Sequence, residues 1–178
     1  MRTAGRCEEK NDKAIWKGAI AGLAGGLVGS WSMNQFQAGV SRLSRATSDG
    51  GVGSSPSPPQ EDDATVRAAS AILESAVDRE LTQDEKKIAG PVIHYAFGST
   101  MGALYGAAAE IAPAAGKVWG LPFGAVLWLG ADEIGVTAAG LSRPPGEVPA
   151  STHASALAAH LVYGATADAV RRLVRSTM

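Results

Sequence analysis

Glycine recurs every four residues inside long stretches that carry no charge. Gly18, Gly22 and Gly26 keep that spacing, as do Gly25 and Gly29, then Gly98, Gly102 and Gly106, then Gly120 and Gly124. In water each mid-helix glycine costs about 1 kcal/mol relative to alanine, so a soluble helix carrying three or four would barely form. In lipid the same spacing lets two backbones approach closely, and packing drives association where hydrophobicity cannot. The spacing therefore favours helices made for a bilayer over a soluble bundle of alanine-rich helices.

The distribution of charge points the same way. Twenty-four uncharged residues separate Lys17 from Arg42, 22 separate Lys87 from Glu110, and 20 separate Glu147 from Asp168. A fourth stretch, from Val118 to Ser142, is interrupted by Asp132 and Glu133. A spanning helix needs roughly 20 mostly apolar residues. The reading is an all-α fold: a multi-pass membrane helical bundle of four transmembrane helices plus one amphipathic helix. It is one membrane domain over 1–178, with a polar N-terminus at 1–17 and span 1 at 18–40. A Gly/Ser/Pro linker follows at 47–62 and an amphipathic helix at 64–81. Span 2 covers 91–109, span 3 covers 118–141 and span 4 covers 151–169. The first stretch is too long for the apolar region of a signal peptide and ends in Asn34-Gln35-Phe36-Gln37, so it reads as a retained anchor. Thr82 and Glu85 fit a capping box, and Gly90-Pro91 marks a kink or a fresh helix start.

Other classes are excluded by composition. Lys+Arg is 16 against 17 Asp+Glu, which leaves no basic stripe for nucleic acid. Cys7 is the single cysteine, so neither an internal disulfide nor a multi-thiolate zinc site is open to one chain. No HxxxH or ExxH spacing suggests a metal, and no serine lies in a nucleophile elbow. The expectation is no enzymatic activity, no metal and no cofactor. The lipid bilayer is the partner, with a homo-oligomer as a second one.

Up-and-down threading at about 1.5 Å per residue gathers scattered polar groups at one depth. Asn34, Gln35, His94, Asp132, Glu133, His153 and His160 all fall in the same half of the bilayer. An acid inside a span is costly, so it should face the bundle and find a partner. His94 and His160 are the expected partners of Asp132 and Glu133. The candidate site is this titratable set of His94, Asp132, Glu133 and His160 with Asn34 and Gln35, beside the packing glycines Gly18, Gly22, Gly26, Gly98, Gly102 and Gly106. Each member also has a plainer reading, as an interfacial ring, a wet loop acid or interhelical glue. Nine Lys+Arg lie on the side of the N-terminus, the 2–3 turn and the C-terminus, against seven on the other. Both termini are therefore expected in the cytoplasm.

Four segments together carry a family likeness: KGAIAGLAGGLVGSWSMNQFQ at 17–37, HYAFGSTMGALYG at 94–106, FGAVLWLGADEIGVTAAGLS at 123–142 and AAHLVYGATADAVRR at 158–172. The chain resembles the YagU-like bacterial inner-membrane proteins, a group defined by a domain of unknown function. The resemblance implies a multi-pass protein of the bacterial inner membrane with a role in survival at acidic pH. It brings no catalytic residues. The function expected is acid-stress response or proton homeostasis through the titratable set. The alternative is a glycine-packed structural or interaction protein, and a small channel or transporter comes third.

Overall fold

The structure is a computed structural model and describes residues 2–48, 66–68, 70–71, 82–116, 118–142 and 144–178. Every regular element among them is helical. Helix α1 runs Arg2–Ser48 and α2 runs Gln83–Ile111. A 3₁₀ turn, Pro113–Gly116, leads to α3 at Leu121–Leu127, a π-helical stretch at Trp128–Gly135 and the single turn α4 at Val136–Ala138. Another 3₁₀ turn, Pro145–Glu147, precedes α5 at Ala150–Ser176.

The glycines set the packing. A Cβ added at Gly18, Gly22 or Gly26 would strike the carbonyl oxygen of Gly106, Gly102 or Gly98 respectively. The order runs in opposite directions on the two helices, so α1 and α2 are antiparallel and meet backbone to backbone. On its other side α1 sets Gly25 on the Ala167 carbonyl and Gly29 on the Tyr163 ring. Gly120 and Gly124 in turn lie on the Gly164 and His160 carbonyls of α5. The four segments thus alternate in direction around α1 and α5.

The capping box closes as the sequence requires. Thr82 N–H donates to Glu85 Oε2 at 2.8 Å, and Glu85 N–H donates to Thr82 Oγ1 at 3.4 Å. Two sequence expectations change. Pro91 is not a fresh helix start, because α2 already runs for eight residues before it and continues past it. Span 3 is not one regular helix, since Val118–Gly120 form a left-handed turn and the remainder splits into α3, the π stretch and α4. Only 66–68 and 70–71 of the expected amphipathic helix are described, as helix, and the linker from 49 to 62 lies outside the described residues.

The interior is not an aliphatic core. Among the described residues no Leu, Ile, Val, Phe or Trp is buried. Glycine and alanine are, with Met33, Tyr105 and Tyr163 and with the polar Ser30, His160, Asp168 and Arg171. Ile20, Trp31, Leu104 and Val126 are 54%, 55%, 59% and 69% exposed, while Asp168 is 0% exposed. Among the described residues no helix is long and apolar enough to cross a membrane. For α1, α2 and α5, of 47, 29 and 27 residues, apolarity is what falls short, because glycine, serine and the inward polar groups dilute the average. For the third segment the shortfall is length.

Candidate functional site

Where the third segment loses regular α geometry, it turns its two acids toward α5. A π turn adds a residue to the helical repeat and redirects the side chains that follow, which is why such turns gather at functional places. Asp132 and Glu133 lie in the middle of this stretch. Glu133 Oε1 is 2.6 Å from His153 Nδ1, and Asp132 Oδ2 is 3.6 Å from His160 Nδ1. Each acid therefore meets one histidine of α5, two turns apart on a single face.

The pairs differ in chemistry. His153 Nε2 points at the Pro145 carbonyl at 3.0 Å while Nδ1 points at Glu133. Two acceptors are satisfied together only by an imidazolium, or by a neutral ring with the proton on Glu133. His160 Nδ1 donates to the Ala156 carbonyl at 3.0 Å, so Asp132 is a second, looser acceptor for the same edge. His160 is buried and Asp132 is half-buried.

Asp132 and His160 border a partly open cavity of about 640 Å³ between α1, α2, the third segment and α5. Its walls are apolar, with Met33, Phe97, Met101, Phe123, Leu127 and Val136 among them. Ser30, His94, Asp132, His160 and Tyr163 supply the polar positions. Tyr163 is fixed by its hydroxyl, which donates to the Gly98 carbonyl at 2.6 Å. Ser30 is 1% exposed, and its Oγ has no hydrogen-bond partner among the described residues. A Cβ at Gly98 would collide with that oxygen, so the glycine makes room for the hydroxyl.

The residues expected to act together are therefore divided. His94, Asp132 and His160 share the cavity, and Glu133 is held by His153. The sequence reading put His153 in the same half as Glu133 but left it out of the set, whereas the two are in contact. A regular span 3 gave no reason to aim Glu133 toward the start of α5. Asn34 donates through Nδ2 to the Tyr95 hydroxyl at 3.3 Å, a tie between α1 and α2. Gln35 is exposed. Among the described residues no group of three or more His, Cys, Asp or Glu is arranged to hold a metal.

A second polar cluster, which sequence reasoning missed, sits at the other end of the bundle. Asp168 receives Arg171 on Oδ1 at 2.8 and 3.1 Å, Arg172 on Oδ2 at 2.7 Å, and the Tyr105 hydroxyl on Oδ1 at 3.0 Å. Arg172 Nη2 also donates to the Gly116 carbonyl. Arg175 pairs with Glu110 through two bonds, at 2.8 and 3.2 Å, and this partner raises the guanidinium above its ordinary pKa. Lys17 Nζ donates to the Met178 oxygen at 2.6 Å. The signal available was Asp168 three and four residues before two arginines, a spacing that puts all three on one helix face.

Comparison with known proteins adds one finding. The model of the family described as "Protein of unknown function (DUF1440)" matches residues 57–169, which include α2, the whole third segment and α5 up to its last turns. No curated protein and no solved structure matches the chain. With well over half of its length inside that match, the chain belongs to the DUF1440 family of proteins of unknown function.

Proposed function

We propose that this is an integral membrane protein, a glycine-packed bundle of four embedded segments in which the contact between the third and fourth responds to pH. The observation that carries the membrane reading is the inversion of polarity. Trp16, Trp31, Trp119 and many branched aliphatic side chains, Ile20, Leu104 and Val126 among them, are exposed while Asp168, Arg171, His160 and Ser30 are buried. Water would drive the opposite arrangement, since burying one large apolar side chain is worth about 1.5–3 kcal/mol. A low average hydropathy does not weigh against this reading, because glycine and polar groups lower the average from inward-facing positions. The gathering of Lys17, Trp119, Arg171, Arg172 and Arg175 toward one end fits a cytoplasmic face, with both termini on it.

The pH response is carried by the two histidine–carboxylate pairs. With imidazolium and carboxylate both charged, each pair ties the π stretch to α5. Losing the proton of the ring, or adding one to the carboxylate, removes the charge of one partner. Either change loosens a contact at the rim of the cavity. The resemblance to YagU-like inner-membrane proteins, with its implied role in acid survival, supports the same reading. The rival, in which the glycine faces join copies of the chain, is weaker. Gly18, Gly22, Gly26, Gly98, Gly102 and Gly106 all find their contacts within one chain.

The test uses Trp128, at the start of the π stretch, as the reporter, with Trp16, Trp31 and Trp119 replaced by Phe. Its emission is expected to shift as the pH is raised far enough to neutralise the histidines. The His153→Gln/His160→Gln double variant should remain folded and lose that shift. A shift of unchanged size in the double variant would remove the mechanism.

A further inference from the structure

The arginine cluster forms a pocket that the proposed pH response does not use. A cavity of about 430 Å³ is lined by Ala109, Pro113, Gly116, Trp119, Arg171 and Arg172. Two guanidiniums converge there. A Cβ built on Gly116 would stand 3.2 Å from Arg171 Nη2 and 3.7 Å from Arg172 Nη2, so both guanidiniums lie against this turn, and a side chain there would crowd Arg171 slightly. Their planes are held from behind, Arg171 over the Tyr105 ring at 5.6 Å and Arg172 over the Trp119 ring at 5.5 Å.

Charge and donor count both leave the cluster unfinished. Asp168 is one carboxylate shared by two guanidiniums, so a net positive charge remains. The neighbouring ions do not cancel it, because Glu110 is taken by Arg175 and Lys17 by the Met178 oxygen. Each guanidinium has five N–H groups. Arg171 and Arg172 each use Nε and Nη2 within the chain, and no described residue engages the Nη1 of either. A planar pair of donors fixed by a buried acid beside an indole suits a tetrahedral oxyanion, which guanidinium binds in a forked manner.

We propose that Arg171, Arg172, the Gly116 turn and Trp119 form a binding site for a phosphate group. Two sources share that chemistry: the headgroup of an anionic phospholipid at the membrane surface, where basic pockets between helices collect such lipids, and a free phosphate or phosphate ester. The lipid source rests on the membrane reading above, whereas binding of free phosphate does not.

The experiment uses the full chain and reads Trp119 emission, with the other three tryptophans replaced by Phe. Inorganic phosphate is titrated in one arm. In the other, retention is compared on vesicles of phosphatidylcholine alone and of phosphatidylcholine with phosphatidylglycerol. The site predicts a saturable response in at least one arm, weakened roughly tenfold or more in Arg172→Gln, the scale for losing a charged hydrogen-bond donor. Phosphatidylglycerol preference without a phosphate response assigns the site to lipid. A phosphate response without that preference assigns it to a soluble ester, and leaves the membrane reading to be judged on its own. Absence of both in the wild-type chain overturns the proposal, whether or not the variant folds.

Discussion

Gly22 and Gly39 occupy the same helix and differ in one respect. A Cβ at Gly22 would land on the Gly102 carbonyl and come within 2.9 Å of the Gly106 Cα, while a Cβ at Gly39 would meet nothing within 4 Å. Backbone cannot yield as a flexible side chain can, so Gly22→Ala forces α1 and α2 apart. The expected loss is about 1–3 kcal/mol, the usual scale of overpacking. Gly39→Ala should instead stabilise by up to about 1 kcal/mol, through helix propensity alone. Thermal unfolding in detergent separates the two, and equal effects would show that the glycine seam does not hold these helices. This seam was legible in the sequence because four-residue spacing on two helices has few physical uses. Which glycines would meet was not legible, since the register depends on loops whose lengths fix no contact.

At the scale of elements, Asp168 ties α5 to α2 through Tyr105 and fixes the arginines that reach the turn at Gly116. Removing its charge leaves the buried Arg171 guanidinium uncompensated, close to the half-exposed Arg172. Asp168→Asn should therefore cost about 3–5 kcal/mol, as breaking a buried ion pair does. Denaturant unfolding in detergent should show it, and a loss below 1 kcal/mol would mean that water already screens the cluster. The third segment shows what periodicity can miss. The sequence marked Asp132-Glu133 as an anomaly inside a span, and the anomaly coincides with the π stretch. It could not reveal how far that stretch rotates the acids, and so it omitted His153. The same limit applies at Pro91, where the sequence allowed a kink or a fresh start and the helix in fact begins eight residues earlier.

At the scale of the whole molecule, the proposal turns on the medium around the helices. Among the described residues the buried set is glycine and alanine with Met33, Tyr105, Tyr163 and a few polar groups, while many large apolar side chains are exposed, and this pattern is what the proposal of a hydrocarbon medium rests on. The all-helical class followed from the uncharged stretches, because only helices or closed barrels satisfy their backbone in lipid, and nothing in the pattern alternates as a strand would. The measurement that tests this most directly is partition of the full chain on ultracentrifugation of a lysate, before and after an alkaline carbonate wash. An integral membrane protein is expected to stay with the membrane pellet through the wash and to enter solution only with detergent. A chain found folded in the supernatant without detergent would contradict it.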